Sequence, residues 1–239
     1  MPGPFSRTEQ LFGPDAMQKL KTSHVAIFGV GGVGGAAVEA LARGGVGTLT
    51  LVDSDVFSES NLNRQILCTR GSIGRPKVEV AKERVLSIHP DCRVIARQEF
   101  FLPGTADRFD FAAYDYVVDA IDTVAGKLAL IEACQKAGTP IVSAMGAGNK
   151  LDPTAFRAAF LSETSVDPLA RVMRTQCKKR GLADVRVVYS TEPPRAPKLQ
   201  PSEPNAPGRR SVPGSTSFVP PVMGYILAGE VIKTLAGMR

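Results

Sequence analysis

The chain has 239 residues, of which 44% are hydrophobic and 22% charged, with a formal net charge of +6. These proportions suit a globular protein whose core needs no disulfide or metal staples, and so modest a positive charge is weak evidence for a polyanionic partner. No run approaches roughly 20 apolar residues, which excludes a membrane-spanning protein, and the first ten residues lack a signal-peptide core, which speaks against secretion. The four cysteines form no C-x-x-C pair, so neither a zinc knuckle nor a redox dithiol is indicated. We expect a cytoplasmic protein.

Short strands alternate with helices over the first two-thirds of the chain. In chain order the sequence predicts a strand at 24–28, a helix at 32–43, a strand at 48–52, a helix opened by Pro76, strands at 92–98 and 116–120, a helix at 126–137 and a strand at 140–145. This alternation favours an α/β fold with a doubly wound, mainly parallel, Rossmann-like sheet.

The character of the sequence changes after about residue 148. Residues 165–186 read as helical and basic, whereas residues 193–214 hold seven prolines and little apolar content, which is typical of a long mobile loop. Residues 219–235 read as an amphipathic helix that packs back on the core. We therefore predict one domain over residues 1–239, with the basic helix and loop at 165–214 inserted within it.

A glycine-rich turn follows the first predicted strand. Its G-x-G-x-x-G pattern consists of Gly29, Gly31, Gly32 and Gly34. Glycine allows a sharp bend and a close approach to phosphate, and the following helix adds free N–H groups and a partial positive charge. Asp53 ends the next strand, where a carboxylate can bind ribose hydroxyls. Taken alone, this pattern predicts a dinucleotide, NAD or FAD.

A polar set downstream of Asp53 points to a different nucleotide. The set consists of Asn61, Arg64, Gln65, Lys77 and Asp122. Hydride transfer needs no cationic cluster here, because the glycine turn already holds the pyrophosphate. Cleavage of ATP between its α- and β-phosphates does need one, since charge builds on the leaving pyrophosphate. Asp122 follows a strand end, where a carboxylate can hold Mg²⁺ against phosphates.

With these residues in view, the chain resembles the ThiF/MoeB-type adenylating enzymes, relatives of the ubiquitin-activating enzymes. The motifs that carry the resemblance are G-x-G-G-V-G at 29–34, D-x-D at Asp53 and Asp55, N-x-x-R-Q at 61–65, P-K-V-E at 76–79 and D-A-I-D at 119–122. The resemblance implies ATP as the nucleotide and assigns Asp53 to the ribose.

The same resemblance implies roles for the charged residues. Arg64, Gln65 and Lys77 would handle the phosphates, and Asp122 would act near Mg²⁺ and the α-phosphate. Arg7, in SRTEQLFG, matches the family's N-terminal arginine, which reaches into a neighbouring subunit's site. A homodimer is therefore implied.

Within that superfamily the chain most resembles the tRNA threonylcarbamoyladenosine dehydratases. The specific matches are RTEQLFG, EALARGGVGTLTLVDSD, IHPDC at 88–92, GAGNKLDPT at 146–154 and DPLARVMRTQCKKRG at 167–181. This resemblance implies cyclisation of a modified adenosine beside the tRNA anticodon, with ATP activating its carboxylate by adenylation and with intramolecular ring closure. Activation by the γ-phosphate is a second, less favoured route.

The resemblance also implies an ion and a partner system, and the chain departs from some relatives at one position. It implies a bound Na⁺ or K⁺, whose ligands the sequence does not assign, and a linked cysteine desulfurase system. Some relatives have a cysteine shortly before the final helix, whereas this chain has Ser215, Thr216 and Ser217 there. A thioester step through that position is therefore not available to this chain.

The basic segment predicts contacts with tRNA phosphates. Its candidate RNA-binding residues are Arg171, Arg174, Lys178, Lys179 and Arg180, and Arg186 belongs to the same segment. Positions 171, 174 and 178 share a helical face, and phosphate contacts predict a steep salt dependence of binding. The predicted loop adds Arg195, Lys198, Arg209 and Arg210.

Three other functions are open to the same motifs. Adenylation of the C-terminus of a ubiquitin-like sulfur-carrier protein is the main alternative, but such enzymes usually have zinc-binding cysteine pairs and often a transfer cysteine. A dinucleotide-dependent oxidoreductase is opposed by the cationic cluster between Arg64 and Lys77. A non-catalytic nucleotide-binding scaffold is opposed by the completeness of the polar set.

Overall fold

Seven strands form one sheet in the computed structural model, which describes residues 3–199 and 213–238. The strands are β1 (His24–Phe28), β2 (Thr48–Val52), β3 (Arg93–Arg97), β4 (Tyr116–Asp119), β5 (Ile141–Ala144), β6 (Phe156–Phe160) and β7 (Arg186–Ser190). Their order across the sheet is β3-β2-β1-β4-β5-β7-β6, and every neighbouring pair is parallel except the antiparallel pair β6–β7. The predicted doubly wound, mainly parallel sheet is confirmed.

Helices cover both faces of this sheet. They are α1 (Ser6–Phe12), α2 (Pro14–Thr22), α3 (Gly34–Arg43), α4 (Lys77–Ile88), α5 (Val124–Ala137), α6 (Pro168–Lys179) and α7 (Val219–Leu235). Helices α3, α4 and α7 bury their apolar sides against one face of the sheet, and α5 and α6 bury theirs against the other. The described part of the chain contains no helix with both the length and the apolar character needed to cross a membrane.

Two contacts define this packing. A Cβ on Gly224 would lie 2.2 Å from the carbonyl oxygen of Val33, so the glycine lets α7 lie directly on the start of α3. On the other face, Phe28 at the end of β1 is fully buried in a cluster with Phe101 and Phe109, whose ring centroids lie 5.1 and 5.2 Å away. The first contact fixes the start of α3 and the second fixes the end of β1, so the glycine turn between them is packed at both ends.

The prediction of one helical segment at 165–186 is wrong at both ends. The helix starts after Asp167, whose side chain accepts a hydrogen bond from the Ala170 N–H at 3.0 Å, and it ends before Gly181, which has a φ of +66°. Arg186 lies in β7 instead. Helices α1 and α2 and strand β6 were not predicted. Most of the predicted loop at 193–214, including Arg209 and Arg210, lies outside the described residues.

The sheet topology brings three strand ends together. Strand β1 lies between β2 and β4, and the chain leaves β1 towards α3 on one face and β4 towards α5 on the other. A parallel sheet opens a crevice at such a switch point, outside the carboxyl ends of its strands. The glycine turn, Asp53 and Asp122 follow these three strands, so the fold places the predicted site there.

Candidate active site

The glycines of the turn serve two different purposes. Gly29 has a φ of +90°, and a Cβ on it would lie 2.6 Å from the carbonyl oxygen of Ala120; a Cβ on Gly34 would lie 1.8 Å from the carbonyl oxygen of Gly29. These two glycines are required by the packing of the turn against β4. A Cβ on Gly31 would meet only Nε2 of Gln65, at 4.0 Å. The space above Gly31 is therefore open to a phosphate group.

This difference predicts opposite outcomes for two alanine substitutions. Gly34→Ala should destabilise the fold by about 1–3 kcal/mol, because the new methyl group overlaps a backbone oxygen that packing holds in place. Gly31→Ala should leave thermal unfolding unchanged but weaken ATP binding, because the methyl group occupies the open space of the turn. Calorimetry for unfolding and for ATP binding measures both effects, and equal losses of stability in the two variants would contradict the assignment.

Asp53 is held rigidly at the end of β2. Its Oδ2 accepts a hydrogen bond from the Val30 N–H at 2.6 Å, and its Oδ1 accepts one from the Asp55 N–H at 2.9 Å. Burial raises the pKa of the Asp53 carboxyl group, and the positive charge of Lys77 partly offsets that rise. Each carboxylate oxygen has capacity for one more donor, so the group is arranged to accept hydrogen bonds from a ribose.

Lys77 is the first residue of α4 and is only 6% exposed. Its ammonium nitrogen lies 2.7 Å from Oδ2 of Asp55 and 3.9 Å from Oδ1 of Asp53. Asp55, predicted as a nucleotide-binding residue from the D-x-D motif, therefore pairs directly with Lys77 in this structure. The pair keeps a buried cation at the same strand ends as the glycine turn.

The loop after β2 brings Asn61, Arg64 and Gln65 to the turn. Asn61 ends a short 3₁₀ turn, and its Oδ1 accepts a hydrogen bond from the Ser58 N–H at 3.1 Å. Nη1 of Arg64 donates to the carbonyl oxygen of Ser60 at 2.8 Å. The backbone of Arg64 also packs against the turn, because a Cβ on Gly32 would lie 3.2 Å from its carbonyl oxygen.

A cleft of about 240 Å³ opens beside this loop. It is lined by Leu62, Asn63, Arg64, Gln65, Ile66, Cys68, Ser217 and Pro221. Gln65 is 6% exposed, and its Oε1 is buried without a hydrogen-bond partner among the described residues. An open glycine turn, Arg64 in the cleft lining and Lys77 at the start of α4 therefore lie at the same strand ends, which fits a nucleotide triphosphate.

The sequence analysis missed the role of Asp119, the first carboxylate of D-A-I-D. Asp119 is fully buried, and its oxygens lie 3.2 and 3.1 Å from the ammonium nitrogen of Lys127, while the Ser143 hydroxyl donates to it at 2.5 Å. Its Oδ1 also accepts a hydrogen bond from the Ile121 N–H at 3.1 Å. This buried pair anchors the segment that carries Asp122, which itself is exposed at the site edge.

Arg7 does not join this site within its own chain. It is exposed on α1, next to Phe5, whose ring contacts the ring of His89 at a centroid distance of 4.9 Å. His89 follows the C-terminal end of α4, whereas Lys77 at the N-terminal end of the same helix lies at the site. Arg7 therefore lies near the end of α4 that is far from the site. Its role in the site of a neighbouring subunit stays a prediction.

The predicted RNA-binding residues fall into different environments. Arg171, Lys178 and Lys179 are exposed on α6, but Nη1 of Arg174 donates to both oxygens of Thr164. Helix α6 begins near the site edge, because the Gly146 N–H after β5 donates to its capping residue Asp167 at 3.2 Å. At 1.5 Å per residue, Lys178 lies about 10 Å further from that edge than Arg171.

Two other basic residues are held by acidic partners. Arg180 lies 3.4 Å from a carboxylate oxygen of Glu132. Arg186, which the sequence analysis grouped with the basic helix, donates from Nε to Oε2 of the buried Glu230 at 2.8 Å. Arg186 is thus part of the packing between β7 and α7.

The chain is similar in sequence and in structure to proteins of one family. A model of the ThiF family matches residues 5–239. The tRNA threonylcarbamoyladenosine dehydratase of Bacillus subtilis (strain 168) is 41% identical over 238 residues, covering 97% of this chain and 94% of the relative. Crystal structures of the E. coli tRNA N6-threonylcarbamoyladenosine dehydratase in complex with AMP and with ATP have TM-scores of 0.87 and 0.86; each is 34% identical and covers 98% of this chain and 94% of that chain. The chain belongs to the ThiF family.

Proposed function

We propose that this protein is an ATP-dependent tRNA threonylcarbamoyladenosine dehydratase. The observation that carries the proposal is the convergence of an open glycine turn, the Asp53 carboxylate and the cations Arg64 and Lys77 at the ends of β1 and β2. The substrate carries a threonine carboxylate on a ureido-modified adenosine. Its carboxylate oxygen is a poor leaving group, and transfer of that oxygen to phosphorus makes it a good one.

The reaction runs in two displacements. In the first, a carboxylate oxygen of the substrate attacks the α-phosphorus of ATP, the bond to the β-phosphate breaks, and pyrophosphate leaves. In the second, the ureido group of the same nucleoside attacks the activated acyl carbon, loses a proton, and AMP departs with the former carboxylate oxygen. The nucleoside thereby loses the atoms of one water molecule, and closure within one molecule gains rate from proximity.

The residues of the site have separable roles in this reaction. Asp53 accepts hydrogen bonds from the ribose, and the N–H groups at the start of α3 face the phosphates. Arg64 and Lys77 stabilise the negative charge that develops on the leaving pyrophosphate. Asp122 is exposed just past the end of β4 and would hold Mg²⁺ together with phosphate oxygens, since carboxylate and phosphate oxygens are the ligands that this ion prefers.

The burial of the cysteines disfavours a covalent thioester step. All four are buried free thiols: Cys68, Cys92, Cys134 and Cys177. Burial raises the pKa of the Cys92 thiol to about 11 and that of Cys134 to about 12. Burial also raises the pKa of the thiols of Cys177 and of Cys68, which lines the cleft. Because the thiolate is the nucleophile, a raised pKa makes each of these thiols less reactive at neutral pH. This favours direct ring closure over the alternative of adenylating a sulfur carrier and transferring it to a cysteine.

The function is tested by mass analysis of the modified nucleoside. Transfer RNA carrying threonylcarbamoyladenosine is incubated with the protein and Mg-ATP, digested, and analysed for loss of one water from that nucleoside. A no-ATP reaction and the Gly31→Ala variant serve as controls. We expect dehydration only with ATP and the parent protein. An unchanged nucleoside in competent tRNA, with ATP consumed only when a sulfur-carrier protein is added, would refute the proposal.

A homodimer with shared sites predicts complementation between two inactive variants. Arg7→Ala would remove the arginine that a subunit contributes to its neighbour, and Asp122→Ala would remove a carboxylate from the subunit's own site. Mixed dimers then contain one site with both residues intact, so part of the activity should return. Subunit exchange is verified by mass spectrometry of differently tagged chains. Exchange without recovery of activity would show that Arg7 does not act across subunits.

A further inference from the structure

A short segment before α7 forms one side of the site cleft. This segment, residues 214–217, is called the wall segment. Its last residue, Ser217, lines the cleft together with Arg64 and Gln65. The helix that follows lies against the glycine turn, since a Cβ on Gly32 would lie 3.2 Å from Cβ of Pro220. The wall segment is therefore adjacent to both the phosphate-binding turn and the cationic loop.

Asn149 holds one end of the wall segment. Its backbone N–H donates to the carbonyl oxygen of Gly214 at 2.8 Å, and its side-chain Oδ1 accepts from the Gly214 N–H at 2.7 Å. Its carbonyl oxygen accepts from the Arg195 N–H at 2.8 Å. Asn149 has a φ of +58°, a left-handed conformation that asparagine and glycine adopt more readily than other residues. A single residue, Asn149 in the loop after β5, thus fixes the start of the wall segment through two hydrogen bonds.

Asn63 holds the wall segment at Ser215. Its Nδ2 donates to the carbonyl oxygen of Ser215 at 3.1 Å, and it precedes Arg64 in the loop after β2. The wall segment therefore bridges the end of β5 and the Arg64 loop. A bridge with hydrogen bonds on both sides is a fixed surface, as a binding subsite requires.

Gln65, which lines the cleft, and Thr216, which lies in the wall segment beside the cleft-lining Ser217, each have a polar group whose hydrogen-bonding capacity is not met. The Oε1 atom of Gln65 and the Oγ1 atom of Thr216 are buried without a hydrogen-bond partner among residues 3–199 and 213–238. Burial of an unpaired polar atom is unfavourable, so each such atom calls for an explanation. The Gln65 oxygen can only accept a hydrogen bond, whereas the Thr216 hydroxyl can donate or accept. A ligand that pairs with both must carry N–H or O–H donors and oxygen acceptors.

We propose that the wall segment is the subsite for the ureido-acid end of the substrate, and that Asn149 is the positioning residue that holds it there; this inference rests on the proposed function. A ureido acid has N–H donors that match the Gln65 oxygen and carboxylate oxygens that can accept from the Thr216 hydroxyl. Binding there places the carboxylate beside the Arg64 loop, where the phosphates of ATP lie. The serine- and threonine-rich sequence of the wall segment then serves substrate binding rather than covalent chemistry.

Variants of Asn149 separate positioning from folding. Asn149→Gly keeps the left-handed backbone and its backbone hydrogen bonds but loses the Oδ1 acceptor, whereas Asn149→Asp keeps that acceptor. We expect Asn149→Gly to raise the KM for modified tRNA about tenfold, with the ATP dissociation constant unchanged and the melting temperature lowered by only about 2–4 °C, as for the loss of one hydrogen bond. Asn149→Asp should restore the parent KM. An unchanged KM in Asn149→Gly, or an equal loss of ATP affinity, would overturn the positioning role.

Thr216→Val tests the subsite without loss of a fold contact. Valine has the shape of threonine and removes a hydroxyl that no described residue pairs with, so the melting temperature should stay or rise while the KM for modified tRNA increases. Ser162→Ala, in an exposed turn away from the cleft, is the control. If Thr216→Val has the same KM as the parent protein, the subsite is overturned. Dehydration by the parent protein would in that case still support the proposed function. Absence of dehydration by the parent protein would overturn the function itself.

Discussion

Arg64→Ala is expected to lower the rate of dehydration by about 10²–10³-fold while leaving unfolding unchanged. Arg64 lines the cleft, and its Nη1 donates to the carbonyl oxygen of Ser60 and to Oδ1 of Asn63 in an exposed loop, so its loss removes no core packing. What the variant loses is the charge that stabilises the leaving pyrophosphate. The measurement is single-turnover dehydration of modified tRNA at saturating ATP, which separates the chemical step from binding.

The control for this prediction lies in the same loop. Arg70 is also an arginine, its side chain is 85% exposed, and its nearest acidic partner, Glu59, is 3.9 Å away. Arg70→Ala removes the same charge from the protein without touching the cleft, so its single-turnover rate should equal that of the parent. If Arg64→Ala were also as fast as the parent, the phosphate assignment of Arg64 would be wrong.

Asp119→Ala is expected to destabilise the protein by about 3–5 kcal/mol, because it leaves the Lys127 ammonium group buried without its carboxylate. Both side chains of this pair are almost fully buried, at 0% and 1% exposed. The loss should appear as a lower urea midpoint in equilibrium unfolding with an unchanged slope. The dehydration rate should also fall, since Asp119 anchors the Ile121 N–H next to Asp122.

Two further variants test this explanation. In Asp119→Leu combined with Lys127→Met, neither charge is buried, so the double variant should recover much of the lost stability. Glu83→Ala breaks an exposed pair with Arg75 and should leave the urea midpoint unchanged. A double variant no more stable than Asp119→Ala alone would show that the loss comes from packing and not from an unpaired buried charge.

Strands β1 and β2, which position the site, could be predicted because their sequences favour a strand over a helix. The runs HVAIF at 24–28 and TLTLV at 48–52 are rich in apolar and β-branched residues, are followed by glycine and aspartate, and match β1 and β2 residue for residue. Strand β6 was missed because it lies at the edge of the sheet and is only partly buried, so its sequence FRAAF carries no strong apolar signal. Helix α1 was missed because it has no buried residue, and α2 because only Ala16 and Leu20 of its nine residues are buried.

The candidate site was predicted in part for a related reason. Asp53 follows β2 and Lys77 begins α4, and parallel topology brings such positions to one edge. Arg64 lies in the loop between them and was predicted from its place in the polar set after Asp53. The pairing of Asp119 with Lys127 was missed because a buried charge pair depends on which side chains turn inward. The wall segment was missed because its contact with Asn149 joins residues far apart in the sequence, and no local pattern reports such a contact.

The central claim is that ATP activates the substrate carboxylate at its α-phosphorus, and oxygen transfer tests it most directly. Transfer RNA is prepared with threonylcarbamoyladenosine whose threonine carboxylate carries ¹⁸O, and a single turnover is run with unlabelled ATP. Mass spectrometry then follows the label. We predict one ¹⁸O atom in the phosphate of AMP and the other in the cyclised nucleoside. Label in inorganic phosphate with release of ADP, or unlabelled AMP, would contradict the claim.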